Sequence, residues 1–240
     1  MELIFLVLVF VIAFLYASVG HGGASGYLAV MVLFGMSPLA MRSSVLVLNV
    51  LVSGIAFFQY YRGQHFRAAL LWPFVITSIP MALLGSLTPV HLPLFRILLV
   101  ICLLAGVFRL IYNVHDQFEI LPIPIPLALI LGGIIGYISG MIGIGGGILL
   151  SPIILLFRWG TPKEVAAVSA PFILLNSIAG LLGTWYNQTF VFNQLILAMW
   201  IFAISGGMLG AFLGSFRWKP QALKYVLALI LLIASFKLVV

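Results

Sequence analysis

Ten long apolar stretches run the length of the chain, separated by short polar or glycine-rich interruptions. A helix needs about 20 apolar residues to cross the hydrocarbon core of a bilayer. Two stretches, 24–36 and 146–157, are too short to cross alone, and each directly follows a run of glycines. We expect each either to continue the preceding segment as a broken helix or to fold back from it as a re-entrant hairpin. The ten stretches are about 3–19, 24–36, 39–60, 68–87, 92–112, 124–142, 146–157, 163–185, 191–214 and 220–240.

Two glycine runs interrupt these apolar stretches: 20–23 (Gly-His-Gly-Gly) and 143–147 (Gly-Ile-Gly-Gly-Gly). Glycine costs about 1 kcal/mol relative to alanine inside a helix. Broken helices persist at membrane depth only where their free backbone groups are buried in protein or line a cavity. Close packing of helices by small residues is the alternative. Because the runs are paired, they favour a transporter binding site formed by two matching breaks.

The chain also shows an internal duplication. Ser37-Pro38 is matched by Thr161-Pro162, and each dipeptide is typical of a helix start with a hydroxyl at the N-cap and Pro at the first helical position. We therefore predict an all-α, polytopic integral membrane protein with two homologous halves, each with a glycine-broken or re-entrant element and about three full spans. The predicted parts are a first repeat 1–112, a Pro-rich connector 113–126 and a second repeat 127–240.

Composition agrees with a membrane protein. Hydrophobic residues make up 64% of the chain and charged residues 6%, whereas ordinary soluble domains have about 25% charged residues. The net charge of +7 is spread as single residues between apolar stretches, which is typical of loops that face an anionic leaflet and not of nucleic-acid binding. We expect a multi-pass protein of the plasma membrane or cell inner membrane. Cys102 is the only cysteine, so we predict no disulfide, metal cluster or cofactor.

The distribution of basic residues predicts the orientation. If each glycine-broken pair folds back, each half crosses the membrane an odd number of times and the halves are inverted. One side then carries eight basic residues and the other three; a single broken crossing per half would make the halves parallel and give seven and four. Positive-inside bias favours the inverted arrangement with both termini outside. The eight are Arg62, Arg67, Arg109, Arg158, Lys163, Arg217, Lys219 and Lys224, and the three are Arg42, Arg96 and Lys237.

Acidic residues are almost absent from the apolar stretches. Glu2, Asp116, Glu119 and Glu164 all lie at segment ends or in the connector. This excludes a buried carboxylate pair, a carboxylate metal site and coupling through a mid-membrane carboxylate. Unwound glycines offer free N–H groups, and a helix that starts there adds the positive end of its dipole. The predicted site therefore suits a small anion.

Polar side chains flank the two breaks and lie at comparable places in the third segments. Interhelical hydrogen bonds, worth on the order of 0.6 kcal/mol each in membranes, are the alternative explanation for each of them. The predicted substrate-binding residues are Ser18, Gly20, His21, Gly22, Gly23, Ser25, Asn49, Ser139, Gly143, Gly145, Gly146, Gly147, Ser151 and Asn176.

His21 is the only histidine inside a glycine run, and its counterpart is Ile144. It could donate to an anion or carry a proton near neutral pH; the alternative is a histidine hydrogen-bonded to a neighbouring helix. Two further glycine series have four-residue spacing, at 132/136/140 and 206/210/214. We interpret them as close-packing helix faces and not as sites.

Three motifs carry a family resemblance: 143–152 (GIGGGILLSP), its first-half echo at 20–23, and 161–166 (TPKEVA) leading into Ser169. With them, the sequence resembles the TauE/SafE family of sulfite and organosulfonate exporters along its entire length. The resemblance implies transport of small sulfur-containing anions such as sulfite, sulfoacetate or other sulfonates. The sequence departs from the family pattern at His21.

The sequence thus predicts a secondary transporter that moves a small anion by alternating access, with the two breaks meeting near the bilayer midplane. A passive, channel-like anion pathway is the first alternative, and an intramembrane enzyme or assembly factor is the second. We expect no enzymatic activity. The expected partners are a small anionic substrate and the lipid bilayer, without nucleic acid, and a homodimer is left open.

Overall fold

The computed structural model describes residues 2–89, 91–111, 119–188, 194–216, 231–233 and 235–238. Over these residues the chain is helical and contains no β-strand, which confirms the predicted all-α class. The helices of the described part are α1 Glu2–Ala17, α2 Ala24–Leu33, α3 Pro38–Arg62, α4 Ala68–Leu87, α5 Leu92–Ile111, α6 Ile125–Ile142, α7 Gly147–Leu156, α8 Pro162–Tyr186 and α9 Gln194–Phe216.

Five of these helices are long and apolar enough to cross a membrane: α3, α4, α6, α8 and, within α9, Leu195–Ser215. The two longest, α3 and α8, have 25 residues each and are about 37 Å long at 1.5 Å per residue. The hydrocarbon core is about 30 Å thick. The described part of the chain therefore has the multi-pass membrane architecture that its hydropathy predicts.

Each glycine run turns the chain back on itself. In the first half, the ring of Phe5 near the start of α1 packs on the ring of Phe34 just after α2, with centroids 5.0 Å apart. In the second half, the N–H of Leu121 before α6 donates to the carbonyl of Arg158 after α7, at 2.9 Å. The helix pairs α1–α2 and α6–α7 are therefore hairpins. This outcome decides between the two expectations for the short segments, and excludes a continuous broken helix.

The two halves are interlocked through glycine-faced helix pairs. Helix α1 packs against α9 and α6 packs against α4, while α3 and α8 pack against each other. A Cβ added at Gly136 on α6 would lie 2.3 Å from the carbonyl oxygen of Ser78 on α4. A Cβ at Gly210 on α9 would lie 2.0 Å from the carbonyl oxygen of Phe14 on α1. The predicted close-packing faces are confirmed.

Local sequence sets the starts of the two long helices. The Ser37 hydroxyl accepts a hydrogen bond from the N–H of Ala40 at 3.4 Å. Thr161 and Glu164 form a capping box, in which the carboxylate accepts from the Thr161 N–H at 2.8 Å. Both predicted helix starts are confirmed. The short helices α2 and α7 also match, with 10 residues each.

These matching lengths agree with an internal duplication. The boundaries 1–112, 113–126 and 127–240, like the inverted orientation of the halves, stay predictions. Residues 112–118 of the connector region lie outside the described residues, and so does most of the expected last segment, 220–240.

Candidate functional site

The two hairpin tips meet at the middle of the two long helices. Asn49 lies next to the midpoint of α3, and Ile173 next to the midpoint of α8. A Cβ added at Gly22 would lie 2.7 Å from Asn49 Oδ1 and 3.1 Å from Ile173 Cγ2. A Cβ added at Gly145 would lie 3.0 Å from Asn49 Nδ2 and 2.7 Å from Ile173 Cγ2. One glycine from each tip therefore contacts the same two side chains, at about half the length of the spanning helices.

Asn49 is the unusual residue of this meeting point. Its side chain is 0% exposed, and neither Oδ1 nor Nδ2 has a hydrogen-bond partner among the described residues. A buried polar group without a partner costs about 1–3 kcal/mol, and each such group in a native structure calls for a specific explanation. An absent ligand that would hydrogen-bond to the amide is one.

Ser177 adds a second polar group at the same place. Its hydroxyl oxygen would lie 2.8 Å from a Cβ at Gly145, close to the same point as Asn49 Nδ2. This oxygen is also buried and has no partner in the part of the chain that the structure describes. Helices α3 and α8 therefore each direct one polar side chain toward the second glycine loop. Neither of these polar groups has a described hydrogen-bond partner.

Backbone donors surround these side chains. Within the described ranges, no acceptor pairs with the N–H groups of residues 22–24 or 145–147. Neither α2 nor α7 has a side-chain cap, and their N-cap glycines are left-handed, with φ of 94° at Gly23 and 77° at Gly146. Unpaired N–H groups at a helix start carry partial positive charge and bind anions. The site therefore offers donors from two helix starts beside the Asn49 amide.

His21 forms a hydrogen-bonded link between the halves. Its ring is buried. Nδ1 lies 2.9 Å from the carbonyl oxygen of Val19, so Nδ1 carries the proton and donates. Nε2 lies 2.8 Å from the hydroxyl oxygen of Ser151 on α7, and that hydroxyl lies 2.8 Å from the hydroxyl of Ser169 on α8. Both ring nitrogens thus contact protein groups, which fits a positioning role; direct anion binding by His21 and Ser151 stays a prediction.

Three of the predicted serines support the hairpins. The Ser18 hydroxyl donates to a carbonyl of its own helix at 2.7 Å. The Ser25 hydroxyl bonds to the Tyr16 hydroxyl and so joins α2 to α1. The carbonyl of Ser139 accepts from the N–H of Gly143 at 2.7 Å and so ends α6. The contacts of the Ser18 and Ser25 hydroxyls explain these two side chains without a ligand. The Ser139 contact is made by its backbone, so the role of its hydroxyl in substrate binding stays a prediction.

Asn176 lies in a different environment from Asn49. Its Nδ2 donates to the Ser78 hydroxyl at 3.1 Å and to the Phe172 carbonyl at 2.8 Å, so it joins α8 to α4. When the two helices are aligned from their N-caps, Asn49 corresponds to Ile173. The register that the caps fix therefore separates the two asparagines by one helical turn. Asn176 Oδ1 is also buried without a described partner, and substrate binding by Asn176 stays a prediction.

The first glycine of each loop contacts the third helix of the other half. A Cβ at Gly20 would lie 2.4 Å from the carbonyl oxygen of Ala166 on α8. A Cβ at Gly143 would lie 2.8 Å from Cγ of Arg42 on α3. Gly147 adjoins the meeting point, since a Cβ there would lie 2.3 Å from an Ile173 carbon. Of the other predicted glycines, Gly23 packs on Tyr27 and Gly146 on Phe172.

Sequence reasoning missed Ile173 and Ser177. The signal was available, because counting from the start of α8 places them one helical turn apart, opposite Asn49 and Ser53 on α3. An apolar residue and a serine in an apolar helix carry no chemical signature alone. Only the register of the duplication would have indicated them.

Two of the basic residues assigned to the less basic side contact helix ends. Arg42 lies in the second turn of α3, and its Nη2 donates to carbonyls at the ends of α4 and α6, at 2.7 and 2.8 Å. Lys237 donates to the last carbonyls of α2, at 3.0 and 3.1 Å. Cations stabilise helix C-termini. Of the three basic residues assigned to the less basic side, Arg96 alone remains without a described structural role.

Known membrane proteins are similar to this chain over nearly its whole length. The family model described as "Sulfite exporter TauE/SafE" matches residues 5–238. The chain is 36% identical to the "Probable membrane transporter protein y4hK" of Sinorhizobium fredii, over 95% of this chain and 94% of that protein. It is 25% identical to the "Probable membrane transporter protein YjnA" of Bacillus subtilis, over 92% of each. No solved structure matches.

Proposed function

The chain belongs to the TauE/SafE family of membrane transporters, and we propose that it is a secondary transporter that moves sulfite or an organosulfonate by alternating access. The observation that carries this proposal is the buried amide of Asn49, which has no partner among the described residues although it lies between both glycine loops. The proposed location is the plasma membrane, and the proposed partners are the anion and the bilayer.

The unpaired amide supports a ligand because a ligand would complete its hydrogen bonds. Asn49 Nδ2 is a donor and suits a sulfite or sulfonate oxygen, while Oδ1 is an acceptor and suits a protonated oxygen or an N–H of the ligand. Without a ligand, both groups are desolvated and unbonded. A bound anion would therefore form hydrogen bonds that the described protein groups do not supply to this amide.

The chemistry around Asn49 supports an anion. Residues 22–24 and 145–147 contribute unpaired N–H groups at two helix starts, and these favour negative charge. The described carboxylates belong to Glu2, Glu119 and Glu164, which lie outside the hairpin tips. An anion at this position would meet donors and no like charge.

The position of the site supports alternating access. Gly22 and Asn49 belong to the first predicted half, and Gly145 and Ile173 to the second. A site made at the contact of two repeats, near the middle of the membrane, can open to either side when the repeats rock against each other. This interlocked contact is what a carrier requires and a simple pore does not.

Counterflow in proteoliposomes tests the proposal. We expect external labelled sulfite to accumulate transiently against internal unlabelled sulfite, with saturation, in the wild-type protein. Asn49→Ala should reduce the initial rate by about tenfold or more, because hydrogen bonds to charged ligands are strong. Ser53→Ala is the matched control: Ser53 lies one turn further along α3, and its hydroxyl donates to the Asn49 carbonyl and not to the site.

Three results would contradict the proposal. Flux without saturation or counterflow would indicate a passive pathway. A reaction product without net movement would indicate an enzyme. Counterflow with sulfate, thiosulfate or lactate, but with neither sulfite nor an organosulfonate such as sulfoacetate or taurine, would leave a carrier and correct its substrate.

A further inference from the structure

We propose that Arg42 forms a second anion-binding position, between the Asn49 site and the membrane surface at which α3 begins. This inference rests on the proposed function and adds a residue to the same pathway. The observations that carry it are the partly satisfied guanidinium of Arg42, the absence of a described counter-ion, and the contact of its side chain with Gly143.

The guanidinium is held in place but is not saturated. Nη2 donates to the carbonyls of Ser86 at 2.7 Å and Gly140 at 2.8 Å, which uses both of its hydrogens. Nε is buried and has no hydrogen-bond partner in the described chain. The two carbonyl contacts therefore fix the group in one orientation and leave a buried N–H donor on a positive charge.

No described carboxylate balances this charge. Among the described residues, Arg67 forms an ion pair with Glu164, with 3.5 Å between nitrogen and oxygen. Arg42 forms no ion pair with a described residue. Arginine stays charged in proteins, and an uncompensated charge removed from water is costly. A small anion that passes this point would supply both the missing charge and the missing acceptor.

The location of Arg42 connects it to the Asn49 site. The two residues are seven positions apart on α3, which is about two turns and about 10 Å along one helix face. A Cβ at Gly143 would lie 2.8 Å from Cγ of Arg42, and Gly145 of the same loop lies against Asn49. The second glycine loop therefore runs from one position to the other.

Among the described residues, no arginine or lysine contacts the corresponding part of the first loop. Its corresponding glycine, Gly20, lies against Ala166, which occupies on α8 the position of Arg42 on α3. Within the described part of the chain, a guanidinium thus adjoins the site only from the side at which α3 begins. An anion that approaches from the surface where α3 begins would meet Arg42 first, whereas one from the opposite surface would not.

Two substitutions separate this role from a purely structural one. Arg42→Gln keeps an amide with two N–H donors for the two carbonyls and removes the charge, while Arg42→Lys keeps the charge. Lys237→Gln is the matched control, because the exposed Lys237 also donates to two carbonyls at a helix end. Binding is measured on the purified protein by calorimetry, with methanesulfonate and with its neutral analogue dimethyl sulfone.

We expect Arg42→Gln to weaken methanesulfonate binding by about tenfold or more, Arg42→Lys by less than about threefold, and Lys237→Gln not at all. The affinity for dimethyl sulfone should be the same in the wild type and in all three variants. In proteoliposomes of one orientation, Arg42→Gln should raise the half-saturating concentration on one membrane face only. Unchanged binding in Arg42→Gln, or an equal loss in Arg42→Gln and Arg42→Lys, would reduce Arg42 to a clamp on the helix ends and overturn the inference.

A spectroscopic measurement keeps the inference testable if Arg42→Gln does not fold. In wild-type protein labelled with ¹⁵N-arginine, the Nε–H signal of Arg42, assigned with Arg42→Lys, should shift with methanesulfonate and not with dimethyl sulfone. A signal that does not move would overturn the inference. If Asn49→Ala loses binding while Arg42→Gln does not, the proposed function stands and this inference fails; if the wild-type protein neither binds nor transports any of the sulfur anions, both fail.

Discussion

The two hairpin tips place glycines at corresponding positions but differ in chemistry and in one backbone angle, since Gly145 is left-handed and Gly22 is not. Each begins with a left-handed glycine, with φ of 75° at Gly20 and 86° at Gly143, and each precedes a helix of 10 residues. The first tip carries His21, which bonds to Ser151, where the second carries Ile144. The second tip lies against Arg42, whereas the first lies against an alanine.

This difference shows which property the duplication fixes and which it leaves free. Glycines are required wherever the tips approach backbone or adopt left-handed φ, so they recur in both halves. The polar side chains serve contacts between the halves and, in the proposed function, the ligand, and they differ between the two tips. The result is a symmetric frame around Asn49 with a hydrogen-bonded histidine on one side and a cation on the other.

The largest expected effect is an all-or-none difference in cysteine labelling. It tests whether the two hairpins enter from opposite membrane surfaces. In a Cys102→Ala background, cysteines at Glu2 and Lys163 should react with a membrane-impermeant maleimide from opposite sides. A cysteine at His65 is the internal control: Arg67 pairs with Glu164, so this loop lies beside the start of α8 and should label from the same side as Lys163. Labelling of the Glu2 and Lys163 positions from one side would make the hairpins parallel.

Next in size is the loss of transport when a methyl group is added to either tip. Gly145→Ala would place Cβ 2.7 Å from Ile173 at a φ of 73°, so backbone strain of about 1–2 kcal/mol adds to overpacking of about 1–3 kcal/mol. Gly22→Ala meets Asn49 Oδ1 at 2.7 Å without left-handed φ. We expect sulfite counterflow to be abolished in both, and protein stability to fall further in Gly145→Ala.

Gly35→Ala provides the control for strain alone. Gly35 has a φ of 73° and nothing within 4 Å of an added Cβ. The free energy of unfolding of Gly35→Ala should fall only by the cost of the backbone strain. The transport rate of this variant should match that of the wild type. Normal transport in Gly145→Ala and Gly22→Ala would show that the tips do not form the site.

A smaller effect is expected where the helix pairs hold the tips in register. Gly136→Ala would force Cβ to within 2.3 Å of a carbonyl oxygen on α4, whereas at Gly133, on the same helix, the nearest atom would lie at 3.7 Å. Gly136→Ala should lower the free energy of unfolding in detergent by about 1–3 kcal/mol. Gly133→Ala should leave it unchanged or raise it slightly. Equal values for the two variants would argue against the α4–α6 contact.

The smallest expected effect concerns His21. A protonated ring must donate from Nε2 to Ser151, whereas a neutral ring with its proton on Nδ1 must accept there. Positive charge beside the tip should favour the anion, so we expect affinity for methanesulfonate to fall as pH rises through the titration of His21. His21→Gln should flatten this pH dependence. The pH-dependent change in affinity that the variant loses should be smaller than about tenfold. His91→Gln, at an exposed position, should retain it; an unchanged profile in His21→Gln would leave His21 a structural link.

Local features of the fold could be predicted from the sequence. Ser37 and Thr161 start helices because capping depends on neighbouring residues only, and the glycine breaks follow from propensity. The choice between hairpin and broken helix does not follow from local sequence. The distribution of basic residues favours the hairpin, and contacts such as Phe5 with Phe34 decide it. Tertiary contacts, and not local preference, select between two chain directions after a glycine.

The candidate site was predictable in part for the same reason. The glycines and Asn49 are visible as exceptions in apolar segments. Arg42 was counted only as a basic residue of the less basic membrane side, whereas its guanidinium binds carbonyls of two other helices. Asn176 was paired with Asn49 by chemistry, although the register of the helices pairs Asn49 with Ile173. The sequence pattern alone misplaces polar residues whose hydrogen-bond partners are distant in the sequence.

The most direct test of the central claim compares the stability of Asn49→Ala and Asn176→Ala with and without methanesulfonate. The side-chain amide of Asn49 has no described hydrogen-bond partner, so its removal should leave the unfolding temperature of the protein without anion unchanged or raised, and should abolish the rise that the anion causes. Asn176 donates two hydrogen bonds, so its removal should cost about 1 kcal/mol and preserve that rise. An Asn49→Ala protein that is destabilised yet still responds fully to the anion would contradict the account.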